Sequence, residues 1–248
     1  MRQAAGLAAL LALVGGGAAA EVIAAACPGP GAADLLLLPE DRAAALAPPA
    51  GAVAVTGAYT GAEPRAEGRP KPVGVFLRDG ATVSLELARM DGMLVIDAAG
   101  AATLATTQAV PSGGITFDLS DLAGRVAFAE AARAEGASAM QSHLLIRDGA
   151  LDLRAVEGAP EARRRALMET PDGRLLLWES DGPSTLHEAA EAMRAAHAPA
   201  MALNLDMGSF DFCRRGLATG WRSCGFVTEE TADRLSNALV ISDDPACR

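Results

Sequence analysis

Short apolar segments occur in pairs along this chain, and a turn that ends in glycine separates the two members of each pair. A glycine after Asp or Ala supplies the positive φ that a tight turn between strands needs, so each pair predicts an antiparallel hairpin. With further apolar segments at 53–56, 201–205 and 238–242, the pattern predicts a largely antiparallel sheet protein. The four turns are Arg78-Asp79-Gly80, Ala98-Ala99-Gly100, Arg147-Asp148-Gly149 and Pro171-Asp172-Gly173.

Two helices are predicted besides the strands. The first covers 121–135. The second begins at a capping box, because Glu188 stands three residues after Thr185, and it ends before Pro199. We therefore predict an α+β fold: a single domain of mostly antiparallel strands and hairpins, with two or three helices packed on the sheet. The apolar faces predicted for the helices are Val126, Phe128, Ala129 and Ala132 in the first, and Leu186, Ala189, Ala190, Met193 and Ala196 in the second.

Composition excludes several classes of protein. Half of the 248 residues are apolar and 21% are charged, which is too apolar for a disordered chain. The formal net charge is −10, whereas a nucleic-acid-binding protein normally presents a basic face. The same acidity disfavours an anionic membrane surface. We therefore expect no nucleic-acid partner.

Residues 1–20 have the pattern of an export signal. Arg2 precedes an uncharged run rich in Leu, Ala and Val, which closes on three alanines. We predict a signal peptide at 1–20, an N-terminal extension at 21–52 and the folded domain at 53–248. A membrane anchor and a lipid attached to Cys27 are the alternatives, although the apolar run is marginal for spanning a bilayer. Cleavage would place the chain in the periplasm or outside the cell, with no stable membrane span.

Export changes the interpretation of the four cysteines, because disulfides persist in an oxidising compartment. Four cysteines allow three pairings. Cys213 and Cys224 are close in sequence and flank a glycine-containing turn, so we favour that pair. Cys27 and Cys247 would then join the two ends of the mature chain. Ten residues separate Cys213 from Cys224, which does not match the spacing of structural zinc sites.

Two residues at the ends of predicted strands are candidates for acid–base chemistry. Asp206 ends an apolar strand, and a carboxylate there can act as acid, base or nucleophile when burial shifts its pKa. The alternative for Asp206 is a turn-forming role. His143 is either an acid–base group or a structural residue. Since the chain has only three histidines, we expect no metal site. The sequence has no GxGxxG motif and no P-loop, and we expect no cofactor.

The run Arg163-Arg164-Arg165 precedes a predicted strand. Because side chains alternate along a strand, at least one of the three points inward. An arginine there can hold a phosphate or carboxylate through two parallel hydrogen bonds, and the alternative is a solvated basic patch. Tyr59 is the only tyrosine, and it could either stack on a sugar ring or belong to the core.

Several short motifs follow one another in order between positions 141 and 241. Together they resemble the phosphodiester glycosidase family, which includes the lysosomal uncovering enzyme and exported bacterial proteins. The resemblance covers roughly 53–241 and is strongest from Gln141 to Gly208. The motifs are Gln141-Ser142-His143-Leu144-Leu145, Arg164-Arg165-Ala166-Leu167, Asp172-Gly173-Arg174-Leu175, Thr185-Leu186-His187-Glu188, Ala202-Leu203-Asn204-Leu205-Asp206-Met207-Gly208 and Ser236-Asn237-Ala238.

The resemblance implies that the chain cleaves a sugar-1-phosphodiester at the anomeric carbon, in a glycan of the envelope or the extracellular space. It implies that Arg164 holds the phosphate and that Asp206 activates water or stabilises the developing sugar cation. The substrate-binding residues that it implies are Gln141, Ser142, His143, Asn204, Tyr59 and Ser209.

Two positions depart from the family pattern. Thr56 stands where the family has Asn, and Met207 stands where it has Gly, which adds a side chain beside the expected pocket. Two other functions therefore stay open. The first is a non-catalytic relative that binds glycans or phosphoglycans, and the second is a structural or partner-binding exported domain.

Overall fold

The computed structural model describes residues 20–62, 68–207, 210–225 and 232–248. Within them the chain forms one mixed α+β domain in which all the described strand pairs are antiparallel. The expected fold class is therefore confirmed. The predicted signal peptide up to position 19, and Ser209 among the predicted site residues, lie outside the described residues.

Three sheets and one short hairpin contain the strands. In order across sheet I lie β1 (Glu21–Ala26), β14 (Leu175–Glu179), β13 (Arg165–Glu169), β15 (Met201–Leu205), β11 (Leu144–Arg147) and β12 (Ala150–Leu151). Sheet II contains β5 (Ala81–Ser84), β4 (Phe76–Arg78), β10 (Ser138–Ser142), β6 (Gly92–Ile96) and β7 (Ala102–Thr106). Sheet III contains β17 (Gly220–Ser223), β16 (Cys213–Leu217), β3 (Ala52–Thr56), β18 (Asn237–Ser242) and β2 (Ala33–Leu37). The separate hairpin is β8 (Val110–Ser112) with β9 (Ile115–Phe117).

The three sheets pack their inner faces against one another around a common core. The outer face of each sheet is covered by one helix: α1 (Arg42–Leu46) lies on sheet III, α2 (Leu122–Glu135) on sheet II and α3 (Leu186–His197) on sheet I. Strand β14 shows why a sheet needs cover on both faces. Its side chains alternate between the common core and the layer of α3, and all of them are apolar up to Trp178. A strand that is apolar on both faces must be covered on both faces.

All four predicted hairpins are present: β4–β5, β6–β7, β11–β12 and β13–β14. In the first and third turns both central residues have positive φ, at 49° and 74° for Asp79 and Gly80 and at 49° and 75° for Asp148 and Gly149. These are the dihedrals of the mirror-image turn that matches the right-handed twist of paired strands. At these two turns the local sequence therefore favours pairing of the flanking strands.

Both predicted helices form, and each has a side-chain cap at its first turn, of which only the second was predicted. Asp121 accepts a hydrogen bond from Gly124, and the capping box of Thr185 and Glu188 is complete. Two residues of the predicted apolar faces are wrong. Val126 is 40% exposed and Ala196 is also exposed, because each lies at the margin of the face that packs on its sheet.

The segment 21–52 supplies edge strands to two different sheets, since β1 pairs with β14 and β2 pairs with β18. Disulfides join Cys27 to Cys247 and Cys213 to Cys224, which is the favoured pairing. Two disulfides fit an oxidising compartment. In the described part of the chain, no helix combines the length and apolarity that a membrane crossing requires.

Candidate functional site

Asp206 follows β15 and joins sheet I to the loop that follows β3. Its backbone N–H donates to the Gly57 carbonyl at 3.0 Å, and its Oδ2 accepts from the Thr60 N–H at 3.1 Å. Asn237 holds the same loop from the other side through two hydrogen bonds with Ala58, at 2.8 and 2.9 Å. A Cβ at position 57 would lie 2.5 Å from Asn237 Oδ1, so this close approach requires glycine.

The environment of Asp206 raises its pKa to about 6. Burial is the main cause, and hydrogen bonds from the backbone of Thr60 and Met207 offset part of the shift. A carboxyl group with this pKa exchanges its proton near neutral pH, which is the property that general acid–base catalysis needs.

Asn204 and Tyr59 lie beside Asp206. Asn204 Nδ2 donates to the Tyr59 hydroxyl and, at 3.1 Å, to the Leu205 carbonyl. Asn204 is 2% exposed, and its Oδ1 has no hydrogen-bond partner among the described residues. Burial and the negative charge of Asp206 raise the pKa of Tyr59 to about 12, so the phenol stays protonated and can donate to a ligand.

A cavity of about 660 Å³ has Arg164 and His143 in its wall. A second recess runs along Tyr59 and Thr60 and shares His143 with the cavity. The edge of the His143 ring meets the Tyr59 ring at a centroid distance of 5.8 Å. His143 therefore lies where the two spaces meet, and burial lowers its pKa, which favours the neutral imidazole.

Arg164 is the arginine of the basic run that lines the cavity. Its Nε donates to the Ser184 carbonyl at 2.9 Å and its Nη2 to the Pro160 carbonyl at 2.6 Å. Two carbonyls thus orient the guanidinium and leave further N–H groups for an anion.

Arg165 is the inward-pointing arginine and is completely buried. Its guanidinium bonds to Glu179 at 3.0 and 2.6 Å, to Asp211 at 2.9 Å and to the Phe212 carbonyl at 3.1 Å. Arg163 pairs with the other oxygen of Glu179. Alternation along the strand therefore separates a structural ion network at Arg165 from an available cation at Arg164.

Gln141 and Ser142, both predicted to bind substrate, lie behind the cavity wall and are fully buried. Gln141 Oε1 accepts from the backbone N–H groups of Val75 and Ala88, each at 3.1 Å, while its Nε2 donates to the carbonyls of Ala88 and Met90. All donors and acceptors of this amide are used. Ser142 donates to the Asn204 carbonyl. The structure thus gives both side chains backbone partners, next to residues that face the cavity.

Sequence reasoning missed one group of charges in the cavity. Burial and the neighbouring carboxyl of Asp91 raise the pKa of Asp152 to about 6. Arg147 pairs with both, at 2.8 Å to Asp91 and 2.9 Å to Asp152. The two acids are 61 positions apart in the chain, since Asp91 precedes β6 and Asp152 follows β12. No local pattern in the sequence could have joined them.

Possible metal ligands cluster at one place in the described residues, at Cys27, Asp244 and Cys247. There the two sulfur atoms are bonded to each other, and a disulfide sulfur is not the thiolate that binds a metal. This cluster is therefore not a metal site.

Comparisons with known proteins add a relationship in fold. No family model and no curated protein matches the sequence. The catalytic domain of zebrafish N-acetylglucosamine-1-phosphodiester α-N-acetylglucosaminidase, solved as a form auto-inhibited by its pro-peptide, superposes with a TM-score of 0.51. The match has 14% identity and covers 86% of this chain and 73% of that domain. This chain shares the fold of that domain.

Two further solved structures are similar at lower TM-scores of 0.47. One is a hypothetical protein from Synechocystis, with 16% identity over 85% of this chain and 56% of that one. The other is described as an exported protein of Burkholderia pseudomallei K96243, with 16% identity over 89% of this chain and 71% of that one. The 14% identity to the zebrafish domain indicates a relationship in fold alone, and a shared fold does not determine activity.

Proposed function

We propose that this chain is an exported hydrolase that cleaves a sugar-1-phosphodiester between the anomeric carbon and the phosphate. The observation that carries the proposal is Asp206, a buried carboxyl whose pKa is about 6, beside Asn204 and Tyr59. The Tyr59 ring contacts His143, which lines the cavity that also contains Arg164. The fold shared with the catalytic domain of a phosphodiester α-N-acetylglucosaminidase supports it. The disulfides support a periplasmic or extracellular location.

In the proposed reaction Arg164 binds the phosphate through the N–H groups that Ser184 and Pro160 leave available. The bond between the anomeric carbon and the phosphate oxygen breaks, and the phosphate monoester leaves with the electron pair. Water adds to the anomeric carbon and gives its proton to the Asp206 carboxylate. A phosphate is a good leaving group, so the reaction needs less acid assistance than hydrolysis of an ordinary glycoside.

The sugar contacts in this proposal come from Tyr59 and Asn204. The Tyr59 hydroxyl accepts from Asn204, so its own proton is available for a sugar oxygen, and Asn204 Oδ1 is a buried acceptor without a described partner. His143 contacts the ligand where the cavity and the recess meet. Gln141 and Ser142 act as positioning residues, because their polar atoms are occupied by backbone groups.

A non-catalytic phosphoglycan-binding module is the second candidate, favoured by Thr56. This side chain, at the position where the resemblance expects Asn, donates to the Phe210 carbonyl and accepts from the Phe212 N–H at 3.2 Å. Thr56 is therefore fully used in holding the segment after Asp206. A site that has exchanged a ligand-binding amide for such a contact could bind without turnover.

The first test measures release of reducing sugar by the purified protein from a panel of sugar-1-phosphodiesters that includes nucleotide sugars. We expect release from at least one member, and a loss of at least a hundredfold in kcat/KM for Arg164→Ala because the phosphate loses its cation. Arg222→Ala, an exposed arginine of the β16–β17 hairpin, is the matched control and should keep full activity. Binding without release by the folded protein would establish the binding module instead.

Tyr59→Phe tests the sugar contact. This change removes the hydroxyl that bonds to Asn204 and leaves the ring against His143, so folding should be preserved. We expect kcat/KM to fall about tenfold, as is typical for loss of one hydrogen bond to a ligand. Steady-state kinetics on the best substrate of the panel measures it. An unchanged kcat/KM would remove Tyr59 from the binding site.

A further inference from the structure

Apolar side chains make up half of the residues that line the cavity of Arg164 and provide most of its surface. The described part of the wall contains no Trp, Phe or Tyr. A nucleotide base would be expected to find an aromatic ring to stack on. The apolar side chains that matter most are Met90, Leu144, Leu153, Val156, Pro160 and Leu186.

Several of these side chains are accessible to solvent although they are apolar. Val156 is 67% exposed, and Leu153 and Leu186 are partly exposed at the edge of the core under α3. Leu153 and Val156 belong to the connection between β12 and β13, while Leu186 opens α3. Two separate elements thus present hydrocarbon to the same cavity. Water in contact with these side chains would be released by an apolar ligand.

The charges around the cavity are cationic, in contrast with the net charge of −10 for the whole chain. Arg89, Arg154 and Arg164 line it. The opposing acids contribute less, because Arg147 pairs with both Asp91 and Asp152. A cationic and apolar cavity in an acidic protein selects an anion that carries a hydrocarbon group.

We propose that the alcohol on the far side of the phosphate is a long hydrocarbon chain, so that the ligand is a lipid-linked sugar phosphate. The phosphate lies at Arg164, the sugar extends toward Tyr59 and Asp206, and the chain covers Leu153, Val156 and Leu186. The cavity volume of about 660 Å³ is within the range of small-molecule sites. The position of the sugar in this inference rests on the proposed function. The position of the hydrocarbon group rests on the cavity alone.

The test uses butyl, octyl and dodecyl phosphate as probes, with inorganic phosphate as the reference, each below its micelle-forming concentration. Titration calorimetry with the purified protein measures the dissociation constants. Each fully buried methylene improves binding about fourfold, and in an open cavity we expect octyl phosphate to bind about tenfold more tightly than butyl phosphate. Equal dissociation constants for butyl and octyl phosphate would overturn the proposal.

Val156→Asn and Ile115→Asn form a matched pair of variants. Both residues are exposed aliphatic side chains, at 67% and 59%, but Ile115 lies on β9, away from the cavity. We expect Val156→Asn to reduce the gain from butyl to octyl phosphate at least threefold and Ile115→Asn to leave it unchanged. If Ile115→Asn removed the difference in affinity between butyl and octyl phosphate and Val156→Asn kept it, the alkyl group would bind elsewhere and the proposal would be refuted.

Two further outcomes separate this inference from the proposed hydrolysis. Dependence on chain length together with no hydrolysis of any diester would support a lipid-phosphate cavity and contradict the enzyme. Hydrolysis of soluble diesters, with no dependence of either kcat/KM or binding on the chain, would support the enzyme and contradict the lipid.

Discussion

The Asp206→Asn variant is expected to be more stable than the native chain at pH 7.5 and to lose at least a hundredfold in hydrolysis. In the proposed reaction the activity falls because an amide cannot accept the proton of the attacking water. The stability rises because burial raises the pKa of Asp206 to about 6, so at pH 7.5 the fold holds an unfavourable buried charge. Asn keeps an oxygen that can accept from the Thr60 N–H.

The sign of the pH dependence follows from the two pKa values. The folded-state pKa of Asp206, about 6, is above the ordinary value of 3.8, so the folded protein binds the proton more tightly than the unfolded chain does. The contribution of Asp206 to the free energy of unfolding is therefore fully present below about pH 4 and is lost as the pH rises through 6. The shift corresponds to about 3 kcal/mol at most, since one pKa unit is about 1.4 kcal/mol.

Urea unfolding of the native protein and Asp206→Asn between pH 4 and pH 8 measures this difference. The gain in the free energy of unfolding should be near zero at pH 4 and should grow to its full value above pH 6. Glu130→Gln, which removes an exposed carboxylate on α2, is the control for a change in net charge. A gain that is the same at every pH would show that burial of the Asp206 charge is not its origin.

Sequence patterns predicted those features of the fold that form between residues close together in the chain. The Asp-Gly turn at Asp79 and Gly80 selects its hairpin through dihedrals of two residues, and the capping box at Thr185 starts α3 through contacts within one turn. The disulfide between Cys213 and Cys224 spans only eleven positions. Each of these features needs no information about distant parts of the chain.

The candidate site was predicted less completely because its roles depend on tertiary contacts. Periodicity showed that one arginine of 163–165 points inward, but only the register of β13 against β14 shows that it is Arg165. Gln141 belongs to a motif of the resembled family, yet its amide is used by backbone groups at Val75 and Ala88. The pair of Asp91 and Asp152 forms only when sheets I and II are packed together.

Arg165→Met should destabilise the fold by about 3–5 kcal/mol. Arg165 is 0% exposed and neutralises Glu179 and Asp211, which are 7% and 4% exposed. Without the guanidinium, Asp211 becomes a buried carboxylate that has lost its cation, and Glu179 keeps Arg163. Removing one partner of a buried ion network costs more than the network contributes, because an uncompensated charge is left in a low-dielectric interior.

The matched control is Arg164→Met, since the same substitution one position earlier removes a cation from the cavity instead of the core. We expect its free energy of unfolding to lie within about 1 kcal/mol of the native value, because the carbonyls that it releases are partly accessible to water. Urea unfolding at pH 7.5 measures both variants. Equal effects of the two substitutions would contradict the assignment of separate structural and ligand-binding roles.

The triple variant Arg165→Met, Glu179→Leu and Asp211→Leu separates the cost of an unpaired charge from the loss of packing. If the destabilisation of Arg165→Met comes from the charges left behind, removing both carboxylates should recover most of the lost stability. If the guanidinium is needed to hold the Phe212 carbonyl, the triple variant should stay destabilised. Because Phe212 also bonds to Thr56, that second outcome would indicate that the segment after Asp206 is fixed in place by Arg165 and Thr56 together.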